Sequence, residues 1–82
     1  MMTIGGYKNG SEDFISLKEV SITCTTIDDI DNIISFLQHV KEQHSAVKDK
    51  TSTCHSHYRD WFEGWQKNEP DFVVISIFED CK

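Results

Sequence analysis

Apolar positions along the 82-residue chain fall into distinct patterns, each of which predicts an element. Ile27, Ile30, Ile33, Ile34, Leu37 and Val40 recur at three- and four-residue steps, with Phe36 widening the stripe. That period specifies one face of an amphipathic helix. Thr26 followed by Asp29 makes a capping-box-like start, and Asp28, Asp29 and Asp31 suit the positive helix end. Polar residues from Asp28 to Glu42 occupy the other side, and the helix should fade between His44 and Ala46 after about 18 residues. Residues 45–51 lack an apolar period and read as a surface loop.

Extended patterns lie on either side. Between Phe14 and Thr25, Val20, Ile22 and Cys24 alternate with Ser21 and Thr23, predicting a half-buried strand with Cys24 inward. Ile15 and Leu17 have the opposite parity, so a bulge or break near Lys18 is required. Ser52 to Asp60 also reads as extended, and Asp71 to Phe78 as a strand apolar on both parities. Residues 1–13 are a turn-rich lead-in with one short edge strand around Thr3 to Tyr7. The expected fold is α+β: one domain over residues 1–82, with a core at 14–80, in which an antiparallel sheet of three to four strands carries one long helix on one face.

The last strand adds a constraint. Val73, Ile75 and Ile77 point one way while Phe72, Val74 and Phe78 point the other, and a single helix covers only one face. Either Trp61 and Trp65 fold over the second face or another subunit packs there; a homodimer formed through sheet faces or edges is expected.

Charge narrows the partners. With 14 acidic and 8 basic residues, a net charge of −6 argues against nucleic acid, which needs clustered Lys and Arg, and favours a basic protein partner. Cys24, Cys54 and Cys81 are too few and too spread for a disulfide scaffold. With no signal-peptide pattern and no apolar run near the ~20 residues of a membrane span, a soluble cytoplasmic protein away from membranes is expected.

Candidate chemistry collects in Cys54-His55-Ser56-His57-Tyr58-Arg59-Asp60-Trp61. As a strand, this segment puts His55, His57 and Arg59 on one face and Cys54, Ser56 and Tyr58 on the face meeting the helix. Two same-sided histidines could ligate zinc or iron, which is the alternative reading. Arg59 opposes a cation there, and no Cys-x-x-Cys or His-Glu-x-x-His spacing completes a site. Cys54 and His55 point apart, so they do not form a nucleophile and base. His55, His57 and Arg59 together with Trp61 and Trp65 instead have the aromatic and arginine composition of interface anchors. The leading expectation is a non-enzymatic interaction module that needs no cofactor.

His55, His57, Arg59, Asp60, Trp65 and Asp71, in their order between helix and strands, give residues 14–80 a resemblance to small uncharacterised bacterial proteins, some of them presumed toxin-immunity proteins. The resemblance implies a protein that binds a partner, and an acidic immunity protein opposing a basic toxin would suit the charge, because complementary potentials speed association.

Overall fold

A computed structural model describes residues 2–78, so Glu79 and Asp80 at the end of the expected core, and the Cys81 thiol, lie outside it. The element order is β1 (Ile4–Tyr7), β2 (Phe14–Leu17), α1 (Ile27–Val47), β3 (Thr53–His57), α2 (Tyr58–Trp61) and β4 (Val73–Ile77). The fold is α+β with one long helix. Its four strands form two antiparallel ribbons, β1 with β2 and β3 with β4, rather than joining in one sheet.

The helix begins as its sequence dictates. Thr26 Oγ1 accepts from the Asp29 N–H at 3.2 Å, while the Asp29 carboxylate reaches back to the N–H and hydroxyl of Thr25, one residue earlier than a standard capping box. At the other end α1 runs on to Val47, beyond the expected fade at Ala46, and the chain turns with Lys50 N–H donating to the Val47 carbonyl.

The apolar stripe divides. Phe36, Val40 and His44 are buried and Ile33 and Val47 half-buried, whereas Ile27, Ile30, Ile34 and Leu37 are exposed. Apolar residues span about half the circumference of α1, but a two-stranded ribbon is narrow, so only the row through Phe36, Val40 and His44 is covered.

Phe36 centres an aromatic cluster, with ring centroids 5.3 Å from Tyr58, 5.6 Å from Trp61 and 5.9 Å from Phe72. Two turns later, His44 bridges the ribbon: Nε2 is 3.0 Å from Ser56 Oγ on β3 and Nδ1 is 2.6 Å from Ser76 Oγ on β4. Ser56 donates its hydroxyl hydrogen to Gln43 Oε1 at 3.3 Å. It therefore accepts from His44 Nε2–H, and Nδ1 accepts from Ser76, a neutral imidazole satisfied on both sides. Burial, with the nearby His55 adding to it, lowers the His44 pKa below its ordinary value, in keeping with that neutral form.

Two expectations are corrected here. The strand expected to reach Thr25 stops at Leu17; Val20 and Ile22 are exposed in irregular chain and Cys24 is half-buried, because among the described residues no strand pairs with that segment. The extended stretch expected through Asp60 ends at His57, where the chain turns into α2. The lead-in holds the short strand expected around Thr3 to Tyr7: Ile4 pairs with Leu17 and Tyr7 with Phe14, and Ser11 N–H donates to the Lys8 carbonyl across a turn in which Gly10 takes φ +82°.

Candidate functional site

The register of β3 and β4 fixes what each side of the ribbon presents. Cys54 pairs with Ser76, His55 with Ile75, Ser56 with Val74 and His57 with Val73. Cys54, Ser56, Val74 and Ser76 are half-buried on the α1 side, as the alternation of a strand requires. The outer side carries His55, His57, Val73, Ile75 and Ile77, with the His55 and His57 rings edge to face at 5.5 Å.

Arg59 is not part of that strand face, because α2 turns its side chain out of the alternation. Its backbone N–H donates to Asp71 Oδ1 at 3.1 Å, and Phe72 N–H donates to the same oxygen at 2.9 Å. Asp71 Oδ2 receives His57 Nδ1 at 2.5 Å, and Arg59 Nε lies 3.8 Å from both Asp71 and Asp60. Burial alone would raise the Asp71 pKa; the hydrogen bonds from His57, Arg59 and Phe72 outweigh it and hold the carboxyl below its ordinary value. Asp71 is thus an ionised acceptor that fixes the His57 ring and ties the start of β4 to the end of β3.

Beside this knot lies an open cleft of about 420 Å³. Its wall on α1 is His39 and Gln43 above a floor of Phe36; β3 supplies His55, Ser56 and His57; α2 supplies Asp60 and Trp61. Trp61 packs on Phe36 and lies 6.1 Å from the His39 ring. Of the residues singled out in the sequence, the cleft brings together His55, His57 and Trp61. Arg59 adjoins it through Asp60, while Trp65 stands apart, its Nε1–H donating to the Pro70 carbonyl at 3.1 Å within the connector. Val73, Ile75 and Ile77 on the outer face of the ribbon stay exposed.

His39 stands out in the sequence only as a possible further ligand for the His55/His57 metal reading and Gln43 not at all, though their spacing of three and seven from Phe36 puts them on the flank of the buried row. Asp71 meets His57 and Arg59 only through pairing across the ribbon.

The arrangement offers an imidazole oriented by a carboxylate, hydrogen-bonding side chains and an aromatic floor. Ser56, the aliphatic hydroxyl next to His57 in sequence, is turned to His44 and Gln43 instead. Among the described residues no group of three or more His, Cys, Asp or Glu side chains is placed to hold a metal ion, and no helix is long and apolar enough to cross a membrane. No family model, curated protein or solved structure matches this chain.

Proposed function

We propose that the protein is a non-enzymatic interaction module of the cytoplasm, homodimeric and immunity-like, whose working surface is the outer face of the β3–β4 ribbon with the adjoining cleft. One observation carries this reading. On the face turned away from α1, Val73, Ile75 and Ile77 remain 38%, 60% and 70% exposed beside His55 and His57. Contiguous exposed β-branched residues on a ribbon mark a surface that another chain covers. The second copy takes this apolar face, leaving the cleft for a partner, and the net charge of −6 favours a basic protein. The free thiols of Cys24 and Cys54 suit a reducing compartment. A sheet of three to four strands is reached when a strand joins a free edge of the ribbon.

Light scattering during size-exclusion chromatography tests the assembly. The wild type should run as a dimer at micromolar concentration, and Ile75→Asp, which places a charge in the centre of the face, should run as a folded monomer. A wild-type monomer under these conditions overturns the dimeric surface.

A further inference from the structure

Strand alternation sets His55 and His57 side by side on the outer face of β3, with ring centres 5.5 Å apart. Imidazoles on a tetrahedral zinc ion stand at nearly that spacing: with roughly 2.0–2.1 Å from ion to nitrogen, two ring centres sharing one ion are about 5.2 Å apart. Asp71 prepares one of the two. Its Oδ2 receives His57 Nδ1 at 2.5 Å, and its Oδ1 is held by the N–H groups of Arg59 and Phe72. In that tautomer His57 Nε2, on the far side of the ring, carries a lone pair, and a carboxylate behind the imidazole is the usual support of a metal-bound histidine. His55 is exposed, and its ring makes no hydrogen bond among the described residues.

Two ligands do not hold zinc, and among the described residues one chain places no group of three or more His, Cys, Asp or Glu for an ion. The dimer proposed above supplies the missing pair, because an isologous interface presents each residue twice. We infer that the dimer binds one zinc ion at its two-fold axis through His55 and His57 of both copies, a tetrahedral site that neither chain completes alone. This rests on the reading of the outer β3–β4 face as the surface between copies. Charge supports it. Arg59, whose cation would oppose a metal on the strand face, is carried off that face by α2 and lies 3.8 Å from both Asp60 and Asp71. With Asp60 to match Arg59, the Asp71 of each copy is left to offset the ion's two charges from behind the ligands, which a buried cation requires. Two chains of net charge −6 repel one another, and a divalent cation between them lowers that repulsion. The backbone leaves access. Tyr58 N–H donates to the Phe72 carbonyl at 2.7 Å and Phe78 N–H to the Ser52 carbonyl at 2.8 Å, so Ser52, Cys54, Ser56 and Tyr58 turn their backbone groups toward β4. Thr53, His55 and His57 turn theirs to the opposite edge, which no strand occupies among the described residues. A second copy therefore reaches the histidine pair from the face and the edge alike, with Val73, Ile75 and Ile77 as apolar cover beside it.

The test strips the full chain of metal with a chelator and titrates it with zinc, or with cobalt(II) as a coloured substitute. One zinc per two chains is expected, the cobalt form should show the strong visible bands of a tetrahedral site, and zinc should lower the dimer dissociation constant about tenfold or more. His55→Ala, which removes an exposed ring and no hydrogen bond, should abolish uptake. Asp71→Asn should weaken uptake by about 10- to 100-fold at the same stoichiometry. His39→Ala, which alters the third histidine lining the cleft, should leave uptake unchanged. No zinc uptake at micromolar concentration, one zinc per chain, full uptake by His55→Ala, or loss of uptake in His39→Ala would each overturn the proposal. A chain that dimerises without zinc and takes up none loses this proposal alone; a chain that is monomeric with and without zinc loses the dimeric surface as well.

Discussion

The two ribbons of this protein are built alike and held differently. Each is a short antiparallel pair, β1–β2 of four residues per strand and β3–β4 of five. The first is closed by a glycine-containing turn and one edge-to-face pair, Tyr7 with Phe14 at 5.3 Å, two residues that stay 64% and 61% exposed. The second is fastened to α1 at two places, by the Phe36 cluster and by His44 between Ser56 and Ser76, and its open end is tied by Asp71. An isolated two-stranded ribbon is marginal in water. What separates the pair is a helix with anchors at the right spacing, and the chemistry-bearing residues sit on the ribbon that has one.

Removing the anchors should erase that difference. Phe36→Ala empties the centre of the aromatic cluster and should cost about 3–5 kcal/mol, a large share of the roughly 5–15 kcal/mol that stabilises a domain. Urea denaturation followed by circular dichroism should show loss of α1 and β3–β4 together. Asp71→Asn keeps an acceptor for the two backbone N–H groups but removes the charge that meets His57, and should cost roughly 1–3 kcal/mol, loosening the first residues of β4.

Acid should act on the same ribbon. The pKa of His44 is lowered in the fold, so the unfolded chain takes up a proton near the ordinary value of 6.5 while the folded chain resists it. Stability is then full above that value and declines as pH falls through it toward the lower folded value. The urea midpoint should drop between pH 7.5 and 5.5, and the drop should shrink in His44→Leu. The smallest effect belongs to the other ribbon. Gly10→Ala, at φ +82°, should cost about 1 kcal/mol, confined to β1–β2 and leaving α1 and β3–β4 unchanged. A Gly10→Ala variant that melts the whole molecule would show that the two ribbons are not separable.

Sequence periodicity located α1 and its Thr26 cap because both are local, and alternation sorted Cys54 and Ser56 from His55 and His57 correctly because strand parity needs no partner to be read. It misjudged which helix residues are covered: Ile27 and Ile30 match the helical period as well as Val40 does, but coverage depends on the width of what lies beneath. Arg59 was assigned to a strand face because nothing in the order Tyr58-Arg59-Asp60-Trp61 announces a helical turn; the Asp71 carboxylate meeting the Arg59 N–H comes from twelve residues away. Likewise Val20 and Ile22 alternate like a strand yet pair with no strand among the described residues. The cleft was the least legible feature, since it joins α1, β3 and α2, which only tertiary packing brings together.

Amide hydrogen exchange at single-residue resolution tests the central claim most directly, because it reads the anchored ribbon and its open edge at once. The N–H groups of Cys54, Ser56, Tyr58, Val74 and Ser76, directed into the β3–β4 ladder, should exchange only with global unfolding, while those of Thr53, His55 and His57 exchange quickly and β1–β2 opens at far lower cost. Equal protection of His55 and Ser56, or of β1–β2 and β3–β4, would contradict it.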